Sequence, residues 1–325
     1  EMLKFARSGG EANSIAIRIA RAYTKNSKVA ICGYHGWHDW YLAANISDKD
    51  PLKDHLLEGL GSKGVPSNLS GTIIPLRYNK FEDLQELMTR NDVAAIKMEV
   101  VRSFKPDSRY LEKIREICDK KGIVLIFDEC TSGFREAFGG IHLNFDISPD
   151  MCILGKAIGN GYAITSVLGK KDIMSAACDS FISSTFWTEA IGPSAACATL
   201  KEMKRIKSWE TLPKIGLKVK NIWKKLALEN NIPIKIFGIN ALPMFSFELE
   251  NARGFKTAFT ELMLKKGFLA STLFYPTIAH DNDDIHSYEI ATSETFQQIA
   301  KAVKNNNPSS LCKGEFCRPS FKRLN

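Results

Sequence analysis

The sequence predicts an α/β fold in which a doubly wound, mostly parallel sheet is followed by a smaller C-terminal α+β domain. Three observations predict it. Apolar runs of strand length alternate with helical patterns over the first 205 residues, as in sheets covered by helices on both faces. Several of these runs are apolar throughout, which is typical of strands buried on both faces. Near residue 206 the pattern changes to short strands between longer helices.

The elements follow from these patterns in chain order. The predicted strands of the sheet are residues 29–33, 72–76, 94–100, 123–127, 151–154 and 166–168. The helices around them are predicted at residues 11–23, 82–90, 109–120 and 189–204. After residue 206 we predict a basic amphipathic helix at 213–229, strands at 234–237 and 244–248, helices at 255–265 and 287–303, and an irregular tail from residue 305. Residues 1–205 are therefore predicted to form a large domain and residues 206–325 a small one.

Composition excludes several classes of protein. The 325 residues are 44% hydrophobic and 25% charged, which is ordinary for a soluble globular protein. No apolar run reaches the roughly 18 residues of a membrane span, and the first residues lack the plan of a signal peptide. The net charge of +8 comes from basic helix faces without the interleaved aromatic residues of a nucleic-acid groove. We expect a cytoplasmic protein that binds neither membrane nor nucleic acid.

The cysteine and histidine residues do not predict a metal site. None of the eight cysteines forms a Cys-x-x-Cys pair, and the closest two are Cys312 and Cys317. His35, His38 and Asp39 lie near one another, but their spacing matches no standard metal site. The cysteines are therefore interpreted as reduced thiols.

Charged residues follow two neighbouring predicted strands. Asp128 and Glu129 end the apolar run GIVLIFDE, and Lys156 follows the next run, in MCILGKAIGNGY. Ligands of open α/β sheets bind at the carboxyl ends of the strands. There a lysine amine can form an imine with an aldehyde cofactor, and a carboxylate can keep a pyridine nitrogen protonated. The structural alternatives are a helix cap or ion pair for the acids and a solvated side chain for the lysine.

Two further segments suit such a cofactor. Ser8, Gly9 and Gly10 precede the first predicted helix, where free amides and the helix dipole attract a phosphate. Tyr34 and His35, in CGYHGWHDW, follow the strand at 29–33, where a ring can stack on the cofactor. An ordinary glycine turn and a packed aromatic cluster are the alternatives.

Taken together, the motifs resemble the class III aminotransferases that depend on pyridoxal 5'-phosphate, and among them the glutamate-1-semialdehyde 2,1-aminomutase-like branch. The matching segments are SGGEAN, GYHGWHD, GVPSNLSGTIIPLRYN, MEV, FDECTSGFR, PDMCILGKAIGNGY, STFWTEAIGPSAACATL and IAHDNDDI. The resemblance implies a fold-type I PLP-dependent transferase that forms a homodimer with active sites at the subunit interface.

The resemblance also implies roles for individual residues. Lys156 matches the Schiff-base lysine, Asp128 the partner of the pyridine nitrogen, and Tyr34 the aromatic residue stacked on the ring. The other matched cofactor-binding positions are Ser8, Gly9 and Gly10 in the phosphate loop, Glu99 at a strand end, and Thr185, whose hydroxyl would reach the phosphate of the neighbouring subunit. His35 is predicted to bind the cofactor from its place beside Tyr34.

The chain departs from the family pattern in four places. Gly10 stands where threonine is frequent, and Thr131 stands where class III transaminases carry a glutamine, which favours the aminomutase-like branch. VVRSF after Glu99 replaces PVAGN, which speaks against true glutamate-1-semialdehyde activity. The family's long segment before the phosphate loop is absent from this sequence, since Glu1 stands only seven residues before Ser8. We therefore expect a fragment of a longer protein or a shortened homologue.

The predicted function is transfer of an amino group from an amino donor to a keto or aldehyde acceptor. The tail FCRPSFKRLN resembles those of transaminases from polysaccharide and nucleotide-sugar gene neighbourhoods, which hints at a sugar-derived acceptor. Two alternatives stay open: an intramolecular amino shift of the aminomutase type, and a homologue that binds the cofactor without turnover.

Overall fold

The computed structural model describes residues 1–46, 61–107 and 109–317. These residues form two compact units, one from Glu1 to Ile206 and one that begins at Lys207. The first unit contains a seven-stranded sheet in the order β1-β7-β6-β5-β4-β2-β3. Its strands are β1 (Met2–Ala6), β2 (Lys28–Cys32), β3 (Ile73–Pro75), β4 (Val93–Met98), β5 (Val124–Glu129), β6 (Met151–Leu154) and β7 (Thr165–Gly169).

The predicted α/β class is confirmed. Strands β2 to β6 are paired in parallel, and β7 is antiparallel to both β6 and β1. Every residue of β4 and β5 is buried, as their continuous apolar runs predicted. The sequence did not reveal β1, a short edge strand that is only partly buried and therefore lacks a clear period of its own.

Helices flank this sheet. They are α1 (Gly9–Thr24), α2 (Asp39–Leu42), α3 (Phe81–Met88), α4 (Tyr110–Lys121), α5 (Lys171–Ser175) and α6 (Ile191–Ile206). The core side of α1 carries Ala12, Ile15, Ala16 and Ile19, all of them buried. The spacing of these side chains explains the helix, because positions three and four apart lie on one face.

The second unit has an α+β core of its own. It contains α7 (Ser208–Glu229), β8 (Ile234–Phe237), β9 (Met244–Phe247), α8 (Ala252–Lys265) and α9 (Asn282–Val303). Helix α7 begins five residues before the predicted start at 213, so that Pro213 lies inside the helix. Helix α9 also begins five residues early, because Asp281 and Asp284 form a reciprocal cap. Of the predicted tail, residues 318–325 lie outside the described residues.

The parallel strands bring their carboxyl ends to one edge of the sheet. Tyr34, Glu99 and Lys156 follow the ends of β2, β4 and β6, and Asp128 is the penultimate residue of β5. Ligands of open α/β sheets bind at such an edge, so this edge is the candidate active site. Among the described helices, none is both long and apolar enough to cross a bilayer.

Candidate active site

Asp128 and Lys156 lie at neighbouring strand ends. In the parallel pairing of β5 and β6, Asp128 is opposite Ile153, and Lys156 follows two residues after the end of β6. Its Nζ donates a hydrogen bond of 2.5 Å to Oγ1 of Thr131, three residues beyond Asp128. The structure thus brings the predicted amine and carboxylate to one region of the sheet edge.

The carboxylate of Asp128 is buried and surrounded by donors. Its Oδ2 lies 2.9 Å from Nδ1 of His35 and 3.5 Å from Nζ of Lys97. Its Oδ1 accepts a bond of 3.2 Å from the amide of Cys130. Burial by itself would raise the pKa of this carboxyl, but the charge of Lys97 and the hydrogen bond of His35 hold the pKa well below its ordinary value. Asp128 is therefore an anion at neutral pH.

Glu129, the other acid at this strand end, is engaged elsewhere. Successive side chains of a strand point to opposite faces of the sheet. Glu129 accepts from the amide of His142 at 3.0 Å, lies 2.9 Å from the Nδ1 of His142, and also accepts from the hydroxyl of Ser132. This acid is a structural anchor, whereas Asp128 faces the site.

His35 lies behind Asp128. Its ring is buried, with Nδ1 against Asp128 and Nε2 at 3.2 Å from the carbonyl of Cys32. Burial lowers the pKa of this imidazole, and the charge of Lys97 lowers it further. The neutral ring has one N–H, which we assign to Nδ1, since the contact with Asp128 is the shorter one. His35 therefore orients the carboxylate that would bind the cofactor.

Lys156 has a strained backbone and an amine with a lowered pKa. Its φ of 46° is a left-handed conformation that costs about 1–3 kcal/mol for a residue other than glycine and is concentrated at functional sites. The residue as a whole is exposed, but its amine, bonded to Thr131, is partly desolvated. This desolvation is the main cause that lowers the pKa of the amine, and the positive charge of Arg102 lowers the pKa further. Both features suit an amine that must react as a nucleophile or base.

The first turn of α1 begins with a reciprocal cap. Ser8 caps the helix: its hydroxyl accepts from the amide of Glu11 at 3.3 Å, and Oε2 of Glu11 accepts from the amide of Ser8 at 2.9 Å. Because these two residues satisfy each other, Gly9 and Gly10 remain as the first-turn amides that can bind an anion.

His38 occupies the space beside Gly10. A Cβ atom at Gly10 would lie 2.2 Å from Cε1 and 2.6 Å from Nδ1 of the His38 ring. Nδ1 is buried and has no hydrogen-bond partner among the described residues. The ring stacks on Trp37 at 4.7 Å between centroids. Depending on its tautomer, this nitrogen can donate or accept a hydrogen bond.

Tyr34 and Glu99 are linked through the backbone. The amide of Tyr34 donates to Oε2 of the buried Glu99 at 3.0 Å. The half-buried ring of Tyr34 meets Tyr41 edge to face at 6.0 Å. Glu99 thus fixes the strand end from which Tyr34 projects, which is a positioning role.

Thr185 lies in an exposed segment between α5 and α6. It is exposed, and no hydrogen bond within the described part of the chain involves it. Its segment rests on α1 through a bond of 2.8 Å from Arg18 to the carbonyl of Phe181. The neighbouring Phe186 lies beside Arg7, the residue before Ser8, with its ring centroid 5.7 Å from the guanidinium carbon.

Two residues near the candidate site, Lys97 and His38, are not predicted as site residues from the sequence. Lys97 lies in the run AAIKME, which was interpreted simply as a buried strand, although a lysine in such a run is a signal in itself. His38 was considered only as a metal ligand and set aside. No group of side chains suited to a metal ion occurs among the described residues.

Comparisons with known proteins identify the family of the chain. The sequence profile described as Aminotransferase class-III matches residues 1–279. A 3-aminobutyryl-CoA aminotransferase from Cloacimonas acidaminovorans (strain Evry) is 32% identical over 317 residues, covering 93% of this chain and 72% of that protein. A glutamate-1-semialdehyde 2,1-aminomutase from Nitrosopumilus maritimus (strain SCM1) is 31% identical over 334 residues, covering 94% of this chain and 76% of that protein.

Solved structures share the fold. The FumI protein of Sphingopyxis sp. MTA144, in its PLP internal aldimine form, matches with a TM-score of 0.82 at 24% identity and covers 96% of this chain and 74% of its own. An omega-transaminase from Sphaerobacter thermophilus matches with a TM-score of 0.82 at 21% identity, covering 93% and 75%. The resemblance predicted from the motifs is confirmed. With the profile matching most of its length, the chain belongs to the class III aminotransferases, enzymes that use pyridoxal 5'-phosphate.

Proposed function

We propose that Lys156 binds the cofactor covalently, that Asp128 binds its ring nitrogen, and that the enzyme moves an amino group from a separate donor to a carbonyl acceptor. One observation carries this proposal. An amine whose pKa is lowered and a buried carboxylate held ionised lie at adjacent strand ends of one sheet. These are the two properties that pyridoxal chemistry requires of the protein.

The side chains present fit the cofactor. Oδ1 of Asp128 accepts the amide of Cys130, and a carboxylate oxygen can accept more than one donor. The first-turn amides of α1 and the unpartnered Nδ1 of His38 suit a phosphate. Tyr34, held by Glu99, supplies an aromatic ring at the same sheet edge.

In the proposed reaction, Lys156, Thr131 and His35 have separate tasks. When bound, pyridoxal phosphate supplies an electron sink for the carbanion that forms at the donor's Cα. Nζ of Lys156 takes the proton from that Cα, and its lowered pKa leaves more of the amine unprotonated near neutral pH. Thr131 accepts a hydrogen bond from that Nζ and orients it. His35 holds Asp128 in place.

A homodimer with shared sites completes the proposal. Thr185 of the partner subunit would donate its hydroxyl to the phosphate at Gly9 and Gly10. Support comes from the exposure of the segment around Thr185, where the side chains of Phe181 and Phe186 are 87% and 59% exposed. Apolar rings at this exposure are typical of a surface that a second subunit covers.

We also propose a cytoplasmic location. All eight cysteines are free, and Cys32, Cys118 and Cys130 are buried as thiols. Unpaired thiols at this number suit a reducing compartment.

Transfer between separate molecules is favoured over an intramolecular shift. VVRSF after Glu99 lacks the asparagine of the aminomutase-like PVAGN, and Arg102 in this segment is buried. Thr131 supports the aminomutase alternative. The two reactions differ in one result, because only a transaminase leaves a keto product from the donor.

The test compares three proteins: the wild-type chain, Lys156→Ala, and Lys171→Ala as a control at an exposed lysine of the same unit. Each is loaded with pyridoxal phosphate and assayed for keto product from amino donors in the presence of separate acceptors. We expect Lys156→Ala to lose turnover by about a thousandfold or more and Lys171→Ala to keep it.

Borohydride reduction and peptide mass spectrometry identify the attachment site. The reduced cofactor should map to Lys156 in the wild type and in Lys171→Ala. An adduct of equal yield in Lys156→Ala would refute the assignment. Turnover that needs no separate acceptor and leaves no keto product would establish the aminomutase alternative instead.

A further inference from the structure

Lys97 is a buried lysine with one carboxylate in contact. It lies in β4 with 0% of its surface exposed, between Ile96 and Met98. Its Nζ has no hydrogen-bond partner of good geometry among the described residues. The contact that it makes is with Oδ2 of Asp128, at 3.5 Å. An ammonium group in such a place is costly unless a carboxylate balances its charge.

The groups that face Lys97 from other elements offer no second anion in contact. Cys130 after β5 and Cys152 on β6 are thiols whose pKa is raised by burial, so both are neutral. His35 after β2 is neutral, since burial lowers its pKa. Glu99, at the end of the same strand, adds a more distant negative charge and accepts from the amide of Tyr34.

The charge of Lys97 therefore depends on Asp128. Burial lowers the pKa of the Lys97 amine, and the carboxylate of Asp128 works in the opposite direction. If a second cation binds to the same carboxylate, the attraction that keeps Lys97 protonated weakens. A protonated pyridine nitrogen at Asp128 is such a cation.

We propose that Lys97 and the ring nitrogen of the cofactor compete for the single negative charge of Asp128, so that binding of the cofactor drives one proton off Lys97. The inference rests on the proposed role of Asp128. In the free enzyme the buried pair is Lys97 ammonium and Asp128 carboxylate. In the loaded enzyme Lys97 is a neutral amine, and its proton has passed to solvent or to the ring nitrogen.

The proton count on binding measures this competition. Calorimetric titration with pyridoxal phosphate in two buffers of different ionisation enthalpy gives the net number of protons released. Protons exchanged at Lys156 and at the phosphate are common to wild type and Lys97→Met, so they cancel in the difference. Wild type should release about one proton more than Lys97→Met, or take up one fewer.

The affinity gives the second readout. Since binding releases a proton from Lys97, affinity for the cofactor should rise with pH between the pKa of Lys97 in the loaded and in the free enzyme. Each pH unit in that window should add up to about tenfold in affinity beyond what Lys97→Met shows.

Controls separate the outcomes. Lys28→Met makes the same substitution in β2, where Lys28 is paired with the exposed Asp92 at 2.8 Å, and it should match wild type in proton count. Lys97→Gln, also neutral, should match Lys97→Met, and it replaces that variant if the latter does not fold. Equal proton counts for wild type and both neutral variants would overturn the competition while leaving the proposed function intact. If wild type bound no cofactor at Lys156, the proposed function would fall, and this inference with it.

Discussion

At the scale of single residues, the proposed phosphate end of the site has glycine at position 10 and the ring of His38 beside it. Gly10 lacks the hydroxyl that is frequent in the family, and the imidazole of His38 fills the space with a buried Nδ1. A ring nitrogen bonded to a phosphate makes a charge-assisted hydrogen bond, which is stronger than a bond between neutral groups. We infer that His38 replaces the missing hydroxyl.

A double-substitution cycle tests this exchange. His38→Ala should weaken binding of pyridoxal phosphate by about tenfold to a hundredfold, the value of one hydrogen bond to a charged group. Gly10→Thr alone should also weaken it, because its Cβ would overlap the ring of His38. In the double variant the threonine has room, so affinity should recover toward the wild-type value. Dissociation constants measured by fluorescence titration would contradict the idea if the two losses simply added.

At the scale of elements, the cap of α1 is both a structural and a binding feature. The reciprocal bonds between Ser8 and Glu11 begin the helix. They leave the amides of Gly9 and Gly10 available to bind an anion. Helix α9 has the same kind of cap, formed by Asp281 and Asp284, but it lies in the second unit. A comparison of the two caps can therefore distinguish the effect of a cap on folding stability from its effect on cofactor binding.

Removal of each cap should give matched losses of stability and different losses of affinity. Ser8→Ala and Asp281→Ala should each lower the free energy of unfolding by about 1 kcal/mol. Ser8→Ala should also weaken cofactor binding, since the first turn that presents the amides is less ordered, whereas Asp281→Ala should not. Denaturant unfolding and cofactor titration measure both quantities. Equal affinities for the two variants would show that the α1 cap plays no part in binding.

At the scale of the whole molecule, the proposed dimer predicts sharing of residues between subunits. Lys156→Ala retains Thr185, and Thr185→Ala retains Lys156, so each pure variant has defective sites only. A mixed dimer would contain one site with both residues. After unfolding and refolding of an equal mixture, random pairing should restore about a quarter of the wild-type activity. Activity of the mixture no higher than the mean of the two pure variants would place Thr185 outside the partner's site.

Much of the fold was readable from local patterns. The apolar runs of β4 and β5 predicted buried strands because both faces of a parallel strand are covered. Helices α7 and α9 start five residues before their predicted starts, since the period of an amphipathic helix fades in its first turn. In α9 the start is set by the cap of Asp281 and Asp284. Edge strand β1 was missed because its stability comes from pairing with β7, which lies far away in the sequence.

By itself, the sequence determined the fold class and the family and predicted Lys156 and Asp128 as site residues, because the alternation of strands and helices and the spacing of motifs can be read along the chain. Only the tertiary structure decided what surrounds them. It placed His35 and Lys97 on the same oxygen of Asp128 and set His38 into the space beside Gly10. Charge and pKa depend on distances between residues remote in sequence and on the exclusion of water, and these quantities exist only once the chain has folded.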